Sequence, residues 1–239
     1  MTRSVFGDQR RSVELLWGAT ERPRRGPKPV LSLERIVGAA VAIADVHGLD
    51  AVSMERVAKE FGFTTMSLYR YVPGKAELID LMIDLGLGEP PALDASRAWR
   101  SQLEDWARRL HSIFNEHPWA LAATGRLRVM GPNELKWLEV GLHALSGTGL
   151  TASERRAACL AVLGQVRSMA QFSVNTSRLT GEQWERATRA LMKEHGGAYP
   201  ELSRALAAKP SSRRDPFRFG LRCVLDGIGL LVARRSGDR

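Results

Sequence analysis

The chain has 239 residues, 44% of them apolar and 26% charged, with a net charge of +9, the balance of an ordinary globular protein. No apolar run approaches the roughly 20 residues of a membrane span; the longest candidate, Val224 to Val232, is short and carries Asp226. Met1 to Arg11 lacks an apolar signal core, and Cys159 and Cys223 each read as a small buried hydrophobe rather than half of a disulfide, so a cytoplasmic protein without membrane contact is expected.

The positive charge is unevenly placed. Residues 1–30 hold seven Lys/Arg against three Asp/Glu, residues 31–88 five against eight, and residues 89–239 23 against 15. The segment richest in recognition motifs is therefore acidic overall. Bulk charge does not argue for a nucleic-acid partner, and local chemistry has to.

Along the chain, Arg22 to Pro29 comes first, with three prolines, one glycine and four cations. Proline has no backbone donor, so residues 1–30 are expected to be a basic, flexible arm. Ser32 then caps a helix with Glu34 in its first turn and an apolar face of Ile36, Val37, Ala40, Val41, Ile43 and Ala44, ending at His47-Gly48. Ser53 caps a short helix, and a second short helix starts at about Thr64. Further helices are expected over Lys75 to Leu87, Ser96 to His117, Pro132 to Leu145, Thr151 to Val174, Thr180 to His195, Glu201 to Ala208 and Asp215 to Ala233. No segment alternates with period two, so no strand is predicted. The fold class is all-α, divided into the arm at 1–30, a small domain at 31–88 and a larger one at 89–239.

Ser53 to Tyr71 carries the chemistry. Two short helices that cross steeply need a thin contact and a sharp turn. Ala58 supplies the first, Gly62 the second, and Leu68 is the apolar contact from the second helix. Thr64, Thr65, Ser67 and Tyr71 then fall on the face away from Leu68, where they can enter a major groove. A plain αα-hairpin with a solvated face is the alternative, but such faces favour Glu and Lys over a Thr/Ser/Tyr surface.

From Ser32 to Leu87 the chain resembles the tetracycline-repressor family, on Ala58…Gly62 and on the run Ser67-Leu68-Tyr69-Arg70-Tyr71-Val72-Pro73-Gly74-Lys75-Ala76-Glu77-Leu78. The later stretches His117-Pro118-Trp119, Gly131-Pro132-Asn133, Phe217-Arg218-Phe219-Gly220-Leu221 and Leu225-Asp226-Gly227-Ile228 resemble the branch that contains the tetracycline repressor itself. The resemblance implies a three-helix helix-turn-helix domain joined to a larger helical ligand-binding and dimerisation domain. It implies base-edge and phosphate contacts for Thr64, Thr65, Met66, Ser67 and Tyr71, and a backbone contact for Tyr69. A phosphate contact follows for Lys75, and nearby contacts for Ser53 and Arg56. Glu55 departs from the basic or polar residue common there. In the arm, Arg24 and Arg25 either lie in an A·T-rich minor groove or belong to a linker that binds nothing specific.

In the larger domain most aromatic residues read as core, and the resemblance makes an effector cavity an expectation. Its candidate lining is Trp106, Leu110, Phe114, His117, Trp137, Gln165, Met169, Phe172 and Asn175. Apolar crowding on the last long helices predicts a homodimer through Leu160, Leu163, Leu221, Val224, Leu225 and Ile228. The five histidines have no paired metal spacing, so neither metal nor cofactor is expected, and no nucleophile–base pair suggests an enzyme. The expected protein is a regulator, most often a repressor in such families, released from palindromic double-stranded operator DNA by a small-molecule effector. The alternatives are a helical binding or enzymatic protein whose basic arm meets nucleic acid incidentally, and an architectural DNA binder that uses mainly the arm.

Overall fold

A computed structural model describes residues 9–18, 31–94, 96–178, 181–207 and 215–237, the side chains of 175–178, 181, 182, 184 and 185 excepted. Twelve α-helices follow one another among the described residues, and no strand is present there. They are α1 (Arg10–Trp17), α2 (Leu33–His47), α3 (Met54–Lys59), α4 (Thr65–Tyr69), α5 (Lys75–Leu87) and α6 (Trp99–Glu116). After them come α7 (Trp119–Ala123), α8 (Pro132–Ala144), α9 (Ala152–Arg178), α10 (Gly181–His195), α11 (Pro200–Ala207) and α12 (Pro216–Gly237). The all-α architecture has the N-terminal helix-turn-helix unit and the larger helical unit read from the sequence.

Local chemistry sets the helix starts. Ser32 Oγ accepts from the Arg35 N–H at 3.3 Å and Ser53 Oγ from the Arg56 N–H at 3.1 Å. Thr151 and Glu154 cap α9 reciprocally, the Thr151 N–H meeting Glu154 Oε2 at 2.8 Å and the Glu154 N–H meeting Thr151 Oγ1 at 3.3 Å. Arg235 adds an ion pair to Glu154, and together these contacts hold its carboxyl down at about 2.

One core runs through both units. Ile36, Val57, Leu68, Val72, Leu78 and Met82 lie under the small unit, and Leu103, Trp106, Val162, Val166 and Leu225 under the large one. The helix α5 belongs to both, touching α2 on one side and α6, α7 and α8 on the other. Its C-terminal carbonyls, which no helix can satisfy internally, accept from Trp137 Nε1 at 3.3 Å (Leu87) and 3.0 Å (Gly88). The Trp106 indole donates in turn to the Trp137 carbonyl at 2.9 Å. Asp84, also on α5, caps α8 from outside: its Oδ1 accepts from the N–H groups of Asn133 at 2.8 Å and Glu134 at 3.3 Å. A side chain at Gly131 would collide with the Asp84 carboxylate, which explains a glycine just before Pro132. The small unit is tied down a second time by Asp45 on α2, which accepts from Trp119 Nε1 at 2.6 Å and pairs with His117 Nδ1 at 2.7 Å.

Two expectations need correction. The segment 1–30 is not an arm throughout, because α1 folds inside it and packs on α5; Arg24 and Arg25 lie outside the described residues. The prolines that argued for an extended chain begin only at Pro23, beyond the end of α1. Of the cysteines, Cys159 is buried, which pushes its thiol up to about 11, whereas Cys223 is exposed.

Candidate nucleic-acid interface

The turn between α3 and α4 needs a left-handed residue, and Gly62 adopts φ +68° there. It brings Leu68 of α4 and Ala58 of α3 into the same buried core, so a short helix is held by one apolar residue and turned outward elsewhere. The outward face carries Thr64, Met66, Tyr69 and Tyr71, all exposed, Met66 at 73%. Thr65 and Ser67 are half-buried, and the Ser67 hydroxyl lies 3.2 Å from that of Thr64. Ser53 is exposed at the start of α3, with Arg56 half-buried in its first turn. Lys75 is exposed at the N-terminus of α5, where unpaired N–H groups and the ammonium together suit a phosphate.

Phe63 and Arg70 are exposed on the same surface and were not among the expected contacts. Sequence adjacency could have flagged both, since Phe63 precedes Thr64 and Arg70 stands between two tyrosines, at the two ends of α4. Glu55 is not idle: it pairs with Lys59 at 2.7 Å, and that hydrogen bond and charge lower its pKa. The pair removes one free cation from a face that would otherwise be more basic.

In the larger unit the expected lining divides. Trp106, Leu110, Phe114 and Trp137 are buried in the core. His117 is held by Asp45, and Gln165 lies against the backbone at Gly220. Met169 is partly buried, Phe172 is half exposed, and the Asn175 side chain lies outside the described residues. Neither of two surface clefts, one of about 390 Å³ beside Gln102 and His143 and one of about 530 Å³ between α9 and α12, is lined by any of these. Buried polar atoms without partners do occur here: His111 Nε2, Arg128 Nε and Glu134 Oε2. His111 stacks on Phe217 with ring centroids 4.1 Å apart, and burial lowers its pKa against the opposing pull of Asp215. Among the described residues no group of three His, Cys, Asp or Glu could hold a metal ion, and no helix is long and apolar enough to cross a membrane.

The expected dimer residues also divide, and here the sequence reading needs correction. Leu221, Leu225 and Ile228 are buried within their own chain, Leu225 completely, and Ile228 alone of the three also borders the cleft between α9 and α12. They recur at the helical period on the inner stripe of α12, so they build the protomer. The outer stripe is different. Leu160 is exposed, Leu163 and Val224 are half-buried, and the wider cleft runs past Ala157, Ala161, Val224, Gly227 and Leu231. Ala157, Ala158, Ala161 and Gly227 leave room along this cleft, and exposed Leu230 and Leu231 border it.

Two family descriptions match the chain: "Bacterial regulatory proteins, tetR family" over residues 36–82 and "Tetracyclin repressor-like, C-terminal domain" over residues 90–232. The HTH-type transcriptional repressor DrrR1 of Streptomyces coeruleorubidus is 40% identical over 245 residues, covering 98% of this chain and 91% of that protein. Apo ActR of Streptomyces coelicolor superposes with a TM-score of 0.70 at 26% identity, over 89% of this chain and 100% of that one. ActR in complex with actinorhodin gives 0.71 at 26% identity, over 87% and 99% of the two chains.

Proposed function

Since the chain belongs to the tetR family of bacterial regulatory proteins, we propose that it is a transcriptional repressor that binds a palindromic operator as a homodimer and leaves it when a small molecule enters the larger unit. The observation that carries this reading is the exposed Thr64–Tyr71 face of α4 beside Lys75 at the start of α5. Hydroxyls and an apolar Met66 can read base edges and thymine methyls, while the lysine and helix terminus position the backbone. Two such readers in a dimer would sit about one duplex turn, roughly 34–36 Å, apart.

The apolar cleft along α9 and α12 supports the dimer. Release is supported by α5, whose opposite ends carry the phosphate contact and the Trp137 anchor, so a ligand that moves α6 or α8 moves the reader. DrrR1 is described as a repressor, and ActR binds actinorhodin; a largely apolar ligand with a few polar groups is the corresponding effector here. Its polar groups would meet the unpartnered His111 Nε2, Arg128 Nε or Glu134 Oε2. Linkage requires that such a ligand bind the DNA-incompetent arrangement more tightly, with a coupling of about 1–3 kcal/mol.

The test is titration of a duplex selected by the protein from a random pool, at several salt concentrations, with and without compounds that raise the melting temperature. Sequence-specific, salt-dependent binding that those compounds weaken is the expected result. Indifference of the operator affinity to every bound compound would overturn the effector half of the reading.

A further inference from the structure

The helix α1 touches both units at once. From its first turn Ser12 Oγ donates to Asp80 Oδ2 on α5 at 2.7 Å, with both side chains buried. The other oxygen of the same carboxylate accepts from Arg126 Nη2 at 2.7 Å, in the loop between α7 and α8; that guanidinium also donates to the Ala76 carbonyl at 3.3 Å. Gln9 Nε2 donates to the Leu127 carbonyl at 3.3 Å, and Trp17 Nε1 to the Met130 carbonyl at 3.0 Å. Leu15 and Leu16 complete the contact by packing on the core. A short helix thus spans the seam between the reader-bearing α5 and the loop of the larger unit, with Asp80 as the shared node.

We propose that α1 is a positioning clasp that fixes the angle of α5 against the larger unit, and through it the spacing of the two DNA half-sites that a dimer accepts. The inference rests on the DNA-binding reading above. Asp80, Asp84 and Ala76 lie one turn apart along one face of α5, all against residues 126–134. Without α1, Asp80 keeps Arg126 and Asp84 keeps its cap, but the bonds from Gln9, Ser12 and Trp17 across the seam are lost. The distance from Asp84 to Lys75 along the helix is about 14 Å at 1.5 Å per residue. A rock of about ten degrees about the Asp84 contact therefore shifts Lys75 by roughly 2.5 Å, and two protomers together by more than one base-pair step of about 3.4 Å. A clasp that removes this freedom selects among spacings without touching DNA.

The test compares the full-length wild type with two full-length variants. Ser12→Ala/Trp17→Phe removes two of the clasp's hydrogen bonds and leaves the packing of α2–α12 alone; Leu15→Pro breaks α1 itself. Each protein selects duplexes from a random pool, and the half-site bases and their spacing are read by sequencing. The wild type is expected to enrich paired half-sites at one spacing. Both variants are expected to keep the half-site bases, accept two or more spacings, and bind the wild-type duplex roughly tenfold more weakly. A double variant that keeps the single spacing overturns the clasp, whether its affinity is unchanged or falls equally for every duplex. A wild type that enriches no paired site overturns the DNA-binding reading, and the clasp with it.

Discussion

Asp84 and Asn133 bond in both directions: the Asn133 backbone N–H reaches Asp84 Oδ1 at 2.8 Å, and the Asn133 side-chain amide donates to the Asp84 carbonyl at 3.1 Å. The two residues join the last turn of α5 to the first turn of α8, so the orientation of the helix that follows α4 is written into the capping of another. A cap supplied from a different element stabilises two helices and the angle between them at once.

Replacing this cap separates its hydrogen bonds from its charge. Burial raises the Asp84 pKa above its ordinary 3.8, and the N–H bonds from Glu134 and Asn133 offset that only in part. Ionisation is then harder in the folded chain than in the unfolded one, so the group's contribution to stability declines as pH rises from 3.8 through the folded value. Asp84→Ala strands two N–H groups and is expected to cost about 1–2 kcal/mol in denaturant unfolding. Asp84→Asn keeps an acceptor without a charge to desolvate, and is expected to match or exceed the wild type at neutral pH, the gap closing in acid. Equal losses in both variants would show that the charge, not the acceptor, makes the cap.

On the proposed operator, Thr65 and Tyr71 on one side and Lys75 on the other are expected to contribute separable terms. Tyr71→Ala with Thr65→Ala is expected to cost about 1–3 kcal/mol on the selected duplex and to relax base preference. Lys75→Ala should weaken all duplexes alike and shrink the salt slope by about one. Gel-shift titration across salt concentrations measures both, and full affinity in the double variant would remove α4 as the reader.

At the proposed dimer face, the two stripes of α12 give opposite expectations. Ala161→Arg places a charge in the exposed cleft and is expected to yield monomers by light scattering with little change in melting. Leu225→Arg puts an unpaired charge into the protomer core and is expected to destabilise the chain itself by about 3–5 kcal/mol. A dimeric Ala161→Arg protein would move the interface away from α9 and α12.

At the other end of α5, Trp137→Phe removes the donor to the Leu87 and Gly88 carbonyls while keeping most of the ring. Thermal unfolding is expected to show a loss of about 1–2 kcal/mol. The fluorescence of Trp106, 6.4 Å from Trp137 between ring centroids, should shift in the variant as its neighbour changes. No change in either measurement would mean that the Trp137 anchor contributes nothing to holding α5.

What could be read from residues alone was what local chemistry decides. Ser53, Ala58, Gly62 and Leu68 define a helix-turn-helix within sixteen positions, because cap, thin contact, turn and apolar anchor are all near neighbours in sequence. The stretch Val13, Leu16 and Trp17 carried the spacing of an amphipathic helix, yet α1 was overshadowed by the prolines after it, and its partners Asp80 and Met130 are far away in sequence. On α12 both stripes are apolar, so periodicity found the helix and not which side meets its own chain. Asp45, Asp80 and Asp84 looked like ordinary surface acids. Each anchors one unit to the other, and nothing about an isolated aspartate announces a partner 46 to 74 residues on.

The contrast between Cys159 and Cys223 makes the protein its own clock. A thiol buried with its proton held up to about 11 is inert to alkylating reagents at neutral pH. Cys223, exposed on α12, should be modified first. The slow second event, modification of Cys159, then reports how often the packing between α8 and α9 opens, and a bound duplex or small molecule that tightens that packing would be seen as a longer interval between the two.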